Sequence, residues 1–111
     1  METFISLGGA VHIPIKSPQE LGYLVRATRK TQHLLLDDVA GSAGVSHVFV
    51  RDVEHGKETI QFGRLLILLR ELGIELRADV PIEAQKAFEQ LSLTGLKSLK
   101  PKASKPPKSV E

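Results

Sequence analysis

Residues 34–57, LLLDDVAGSAGVSHVFVRDVEHGK, constrain this chain more tightly than any other stretch. The spacing of Val39, Ala40, Gly44, Val45, Val50, Val53 and Gly56 is that of two short helices crossing at close quarters. A small residue at Ala40 lets the backbones approach, and Gly44 can take the positive φ that ends the first helix. Val45 staples the turn to the core, Ser46 caps the next helix, and Val50 and Val53 fill that helix's buried face. The pattern is a helix-turn-helix, a device that offers one helix to the major groove of DNA.

Composition narrows what can surround it. A chain of 111 residues, 41% of them hydrophobic, fits one domain with a modest core and flanking tails. No apolar run approaches a membrane span, and the N-terminus lacks the basic stretch and long apolar run of a secretory signal. The absence of cysteine excludes disulfides and thiolate metal sites and fits a reducing cytoplasm, so a cytoplasmic protein is expected. The histidines, at 12, 33, 47 and 55, show no paired ligand spacing. There is no glycine-rich phosphate loop and no nucleophile–base set, so neither an enzyme nor a cofactor is expected.

The formal charge of +2 is unevenly spread. Residues 17–79 carry eight Lys/Arg against nine Asp/Glu, whereas residues 80–111 carry six Lys against three Glu. Overall basicity therefore says nothing about nucleic acid, and a DNA role must rest on the motif and its local charges.

Along the chain, residues 1–16 read as an arm in which the alternation from Ala10 to Ile15 allows a short edge strand. Ser17-Pro18-Gln19-Glu20 is a helix start, with Leu21, Leu24, Val25 and Thr28 forming one apolar stripe over 18–31. Helices over 36–43 and 47–54 follow, and a fourth opens at Lys57 or Thr59 and ends at Gly73. That fourth helix is apolar nearly all round, which predicts one face on its own core and another on a partner. Residues 74–79, IELRAD, alternate as a strand that needs either the 10–15 segment or a second copy to pair with. A short helix within 81–93 precedes a Lys-, Pro- and Ser-rich tail expected to be disordered. The expected organisation is an arm over 1–16, a helix-turn-helix and dimerisation domain over 17–80, and a helix with basic tail over 81–111.

SPQELGYLVRATRK, LLLDDVAGSAGVS, VRDVEHGK, the leucine-rich helix and IELRADV together resemble HipB-type antitoxins of the phage-repressor-like (XRE) class. The resemblance covers about residues 17–79. It implies a mainly α, four- to five-helix lambda-repressor-like fold whose short C-terminal strand pairs across a homodimer. It also implies binding to double-stranded operator DNA, repression of the chain's own operon, and restraint of a HipA-like serine/threonine kinase toxin. Ser46, His47, Val48 and Arg51 then correspond to base-reading positions, and Arg29, Lys57 and Thr59 to phosphate contacts. Arg29 and Glu54 correspond to an ion pair joining the first helix to the end of the third. The dimer is expected to use Leu65, Leu69, Leu72, Ile74, Leu76 and Ala78.

Geometry independently puts 47, 48, 51 and 52 opposite Val50 and Val53. Arg51 is the strongest reader because a guanidinium bonds guanine O6 and N7 together; its plainer alternative is a surface pair with Asp52. His47 can act at a base edge or be merely solvated, and Val48 can meet a thymine methyl. Two departures matter. Where the family often has a Thr or Ser cap and then Gln at the second helix, this chain has Leu35 and Leu36, and Asp37 and Asp38 repel phosphate. Leu36 is expected to be exposed and available to a partner protein. The tail lysines at 97, 100, 102, 105 and 108 allow phosphate contact, docking on a kinase, or simple solvation. Two rivals stand beside the antitoxin reading: a stand-alone repressor, and a toxin-sequestering module with weak DNA binding.

Overall fold

The computed structural model describes residues 6–7 and 9–96. A two-residue hairpin comes first, β1 (Ser6–Leu7) antiparallel to β2 (Ala10–Val11), with Ser6 opposite Val11 and Leu7 opposite Ala10. Five helices follow: α1 (Pro18–Thr31), α2 (Leu36–Ala43), α3 (His47–Glu54), α4 (Phe62–Leu72) and α5 (Glu83–Thr94). The chain divides into two units between Leu76 and Arg77, so that α5 lies in the second.

In the first unit, α1 packs on α3 and α4, and α2 packs on the same two helices. Val25, Val39, Ala40, Ala43, Val50, Val53, Leu65, Leu68, Leu69 and Leu72 form the core. Each helix begins and ends by local chemistry. Ser17 accepts from the Glu20 N–H (3.1 Å), and Glu20 reaches back to the Lys16 N–H (2.6 Å). Leu34, Val45 and Ile60 each precede a helix cap by one residue and pack on the core, the spacing of a hydrophobic staple.

Four helices close by the same double bond of a Schellman turn. At α2, Gly44 N–H reaches Gly41 O and Val45 N–H reaches Ala40 O, with Gly44 at φ +71°. At α1 the left-handed position is held by His33, φ +60°, where a Cβ is strained. Gln32 then ties this end to α4 by donating Nε2–H to Leu72 O (2.8 Å).

The structure corrects four expectations. Helix α4 starts at Phe62 after a Gln61 cap, because Ile60 is drawn onto the core ahead of the helix, and Thr59 therefore lies in the connecting loop. Within the chain, residues 74–79 carry no strand, and Ala10–Val11 pairs with Ser6–Leu7 and not with them.

Leu65, Leu69 and Leu72 are buried in the chain's own core and cannot also face a second copy. Ile74 is half-buried on that core, whereas Leu76 and Ala78 are exposed. The face of α4 left open carries Phe62, Leu66 and Ile67 instead. Finally, Leu36 packs against the core, and it is Leu35 that stands out at 70% exposed.

In the second unit, α5 buries none of its residues; Ala84, Phe88 and Leu91 share one side of it. The tail lysines lie outside the described residues.

Candidate nucleic-acid interface

Helix α3 is fixed from behind and open in front. Its cap is Ser46, whose Oγ accepts from the Phe49 N–H (3.0 Å). Val50 and Val53 are buried, which turns the opposite side outward. His47, Val48 and Arg51 all lie on that outer side, with Val48 41% exposed, and Ser46 opens it. The four residues singled out as base readers thus share one open surface.

The rear of α3 is locked to α1 by two contacts. Arg29 donates Nε–H to Glu54 Oε2 (2.6 Å) and Nη2–H to Oε1 (3.0 Å), a bidentate pair in which both residues are buried. Its Nη1 donates to Leu34 O at 3.0 Å, so one guanidinium joins α1, the α1–α2 turn and the end of α3. The hydrogen bond to Glu54 raises the Arg29 pKa above its ordinary value, against the opposing pull of burial, and the carboxylate's charge adds to the rise. A raised pKa in a cation means that Arg29 keeps its charge at all lower pH, so its own contribution to the pair fades only as pH climbs past the ordinary guanidinium range.

This geometry also corrects a site assignment. Arg29, with its side chain only 9% exposed and its donors directed inward, holds α3 in place and is not an outward phosphate ligand.

The second lock is Gly22. A Cβ there would lie 2.5 Å from Glu54 O and 2.6 Å from Val53 O, so α1 crosses the end of α3 closer than any side chain allows. Sequence reasoning assigned the close approach to Ala40 and missed Gly22; a glycine inside a helix otherwise built of good formers is the signal that marks it.

The end of α3 positions Lys57. Gly56, φ +79°, donates to Val53 O, and Lys57 N–H bonds Asp52 O at 3.0 Å. Lys57 Nζ also lies 3.5 Å from Asp52 Oδ2, and Arg51 Nη2 lies 3.8 Å from Asp52 Oδ1. Across the turn, His47 Nδ1 is 3.9 Å from Asp37 Oδ1, joining the first turns of α3 and α2. Helix α2 has no side-chain cap at Leu35, although Asp38 accepts from the Leu35 N–H (2.9 Å). Thr59 is exposed in the loop after Lys57 and belongs to no helix start. The assembled surface is a short helix with one imidazole, one guanidinium and an adjacent ammonium, each with a carboxylate within 4 Å.

No protein-family model matches the chain. It is 44% identical over 72 residues to the uncharacterized HTH-type transcriptional regulator y4mF of Sinorhizobium fredii (strain NBRC 101917 / NGR234), covering 65% of this chain and 95% of that one. The chain belongs to the helix-turn-helix transcriptional regulators. Among solved structures, the regulator's fold is similar to a chain in the structure of a HipA-HipB-O2-O3 complex and to one in a HipB-O4 20mer complex. Each has a TM-score of 0.58 at 14% identity over 62% of this chain and 97% of the other. At that identity the likeness is one of fold, and it matches the mainly helical architecture expected from the sequence. Among the described residues no helix is long and apolar enough to cross a membrane.

Proposed function

We propose that this regulator binds double-stranded DNA as a homodimer, inserting α3 into the major groove to repress transcription. One observation carries the reading: α3 is clamped from behind by the Arg29–Glu54 pair while His47, Val48 and Arg51 stand open on its far side. Arg51 reads guanine, His47 and Ser46 act at neighbouring base edges, and Val48 packs on a thymine methyl. Lys57, just past α3, and Thr59, in the loop that follows it, meet the flanking phosphates.

Dimerisation supplies the second half-site, with recognition helices about 34 Å apart on a pseudo-palindrome. The apolar face of Phe62, Leu66 and Ile67 on α4, with Leu76 beyond it, is the surface suited to that contact. Residues 74–79, which alternate as a strand, would pair with the same segment of the second copy. The narrower role, following from the resemblance to HipB-type antitoxins, is autorepression of an operon together with restraint of a HipA-like kinase. The exposed Leu35 beside the acidic start of α2 is a surface that such a partner would use. A kinase-like reading frame adjoining this one supports the antitoxin role, and its absence favours a stand-alone repressor.

The test of DNA reading is titration of wild type and Arg51→Ala against a duplex selected by the wild type and its scrambled counterpart. A drop of roughly ten- to hundredfold in selected-site affinity is expected for a lost bidentate base contact. Equal binding of both proteins to both duplexes removes the assignment.

A further inference from the structure

We propose that Asp52 is a specificity-determining positioning residue: it buttresses Arg51 for base reading and keeps Arg51 and Lys57 from binding phosphate indiscriminately. This rests on the reading that α3 meets DNA. Asp52 stands between the two cations, with one carboxylate oxygen 3.8 Å from Arg51 Nη2 and the other 3.5 Å from Lys57 Nζ. Its main chain joins the arrangement, since Asp52 O accepts the Lys57 N–H at 3.0 Å. The carboxylate is half-buried at 27% exposed, whereas Arg51 and Lys57 are each more than half exposed. A half-buried anion on the helix is therefore fixed, and the two longer side chains are gathered to it.

That arrangement treats phosphate and guanine differently. A guanidinium carries five donors in a rigid fork, so one edge can stay on Asp52 while another bonds guanine O6 and N7. Arg51 held against its own helix is pre-oriented toward base edges and loses less freedom on finding the right one. A phosphate must instead draw Arg51 or Lys57 away from Asp52 and accept that residue's negative charge nearby. The generic contact is weakened at every sequence, and the correct base contact is retained. Asp37 beside His47 repeats the pairing at the other end of α3, but at 84% exposed it is the less constrained of the two.

The test compares full-length wild type, Asp52→Asn, Asp52→Ala and Asp52→Glu on two probes. These are a duplex selected by the wild type from random 20-base-pair DNA, and the unselected pool. Asp52→Asn and Asp52→Ala are expected to bind the unselected pool about three- to tenfold more tightly at moderate salt, the effect of removing one charge near the backbone. Their salt dependence on that pool should steepen by about one ion as a cation is released to phosphate. Selected-site affinity should stay level or fall, so that the discrimination ratio drops at least severalfold, and Asp52→Glu should recover part of it.

Thermal melting establishes that each variant is folded. A folded Asp52→Asn and Asp52→Ala with unchanged ratio and salt slope overturn the proposal. Parallel loss on both probes, tracking a lowered melting temperature, also overturns it, as a purely structural role would give. Failure of the DNA reading is seen separately: the wild type then enriches no sequence and does not bind the pool at low salt.

Discussion

Arg29 and Glu54 show how a charged pair can be structural at a site that meets a polyanion. Both are buried, both carboxylate oxygens are engaged by one guanidinium, and the remaining arm of that group closes the α1–α2 turn. Removing one partner leaves the other charged and unpaired, so Glu54→Ala should cost about 3–5 kcal/mol in chemical denaturation. Arg29→Met with Glu54→Leu removes both charges and should recover much of that loss, because the pair's desolvation cost disappears with it. A double variant as unstable as the single one would show that the pair contributes more than charge neutralisation. Between pH 6 and 10, no loss of stability should arise from Arg29, whose raised pKa keeps it charged throughout. At Gly22 a methyl would press on the Glu54 and Val53 carbonyls, so Gly22→Ala should lower stability by about 2 kcal/mol despite alanine's better helix propensity.

Among the helices, the ends are more uniform than the faces. Schellman closures finish α1, α2, α3 and α4, and in the first of them a histidine occupies the position that glycine takes in the others. His33→Gly should raise stability by about 0.5–1 kcal/mol, the relief of a left-handed Cβ less the added freedom of the unfolded chain. A lowered melting temperature would mean that the His33 side chain makes a compensating contact. Ser46→Ala removes the oxygen that accepts the Phe49 N–H and should cost about 1 kcal/mol. If DNA affinity falls further than that loss of folded protein explains, Ser46 also acts at the interface. Helix α2 lacks such a cap, and Leu34 and Leu36 hold it by packing instead.

At the scale of the molecule, the folded first unit covers only one side of α4. Leu65, Leu68, Leu69 and Leu72 fill the core, and Phe62, Leu66 and Ile67 remain outside it. Leu66→Lys with Ile67→Glu should therefore leave the fold intact by circular dichroism but lower the mass seen in sedimentation to that of one chain. A wild type that sediments as a monomer at the same concentration removes the dimer proposal.

The sequence located α1, α2 and α3 closely, because their caps, staples and turn residues are local signals lying within a few positions of each other. It also recognised that α4 was apolar on two sides. What it could not say was which side the core would take: at 3.6 residues per turn, two adjoining leucine stripes on one helix are equivalent until a neighbour covers one. The same limit hid the crossing at Gly22, the approach of Lys57 to Asp52 beside Arg51, and the inward turn of Arg29. Each depends on residues far apart in the chain or on a side-chain choice between two partners. The helix-turn-helix was determined by the order of the residues, since capping and turn chemistry act over one or two helical turns. How deeply each charge around it is buried was decided only by packing, because burial is a property of the assembled core and not of any segment.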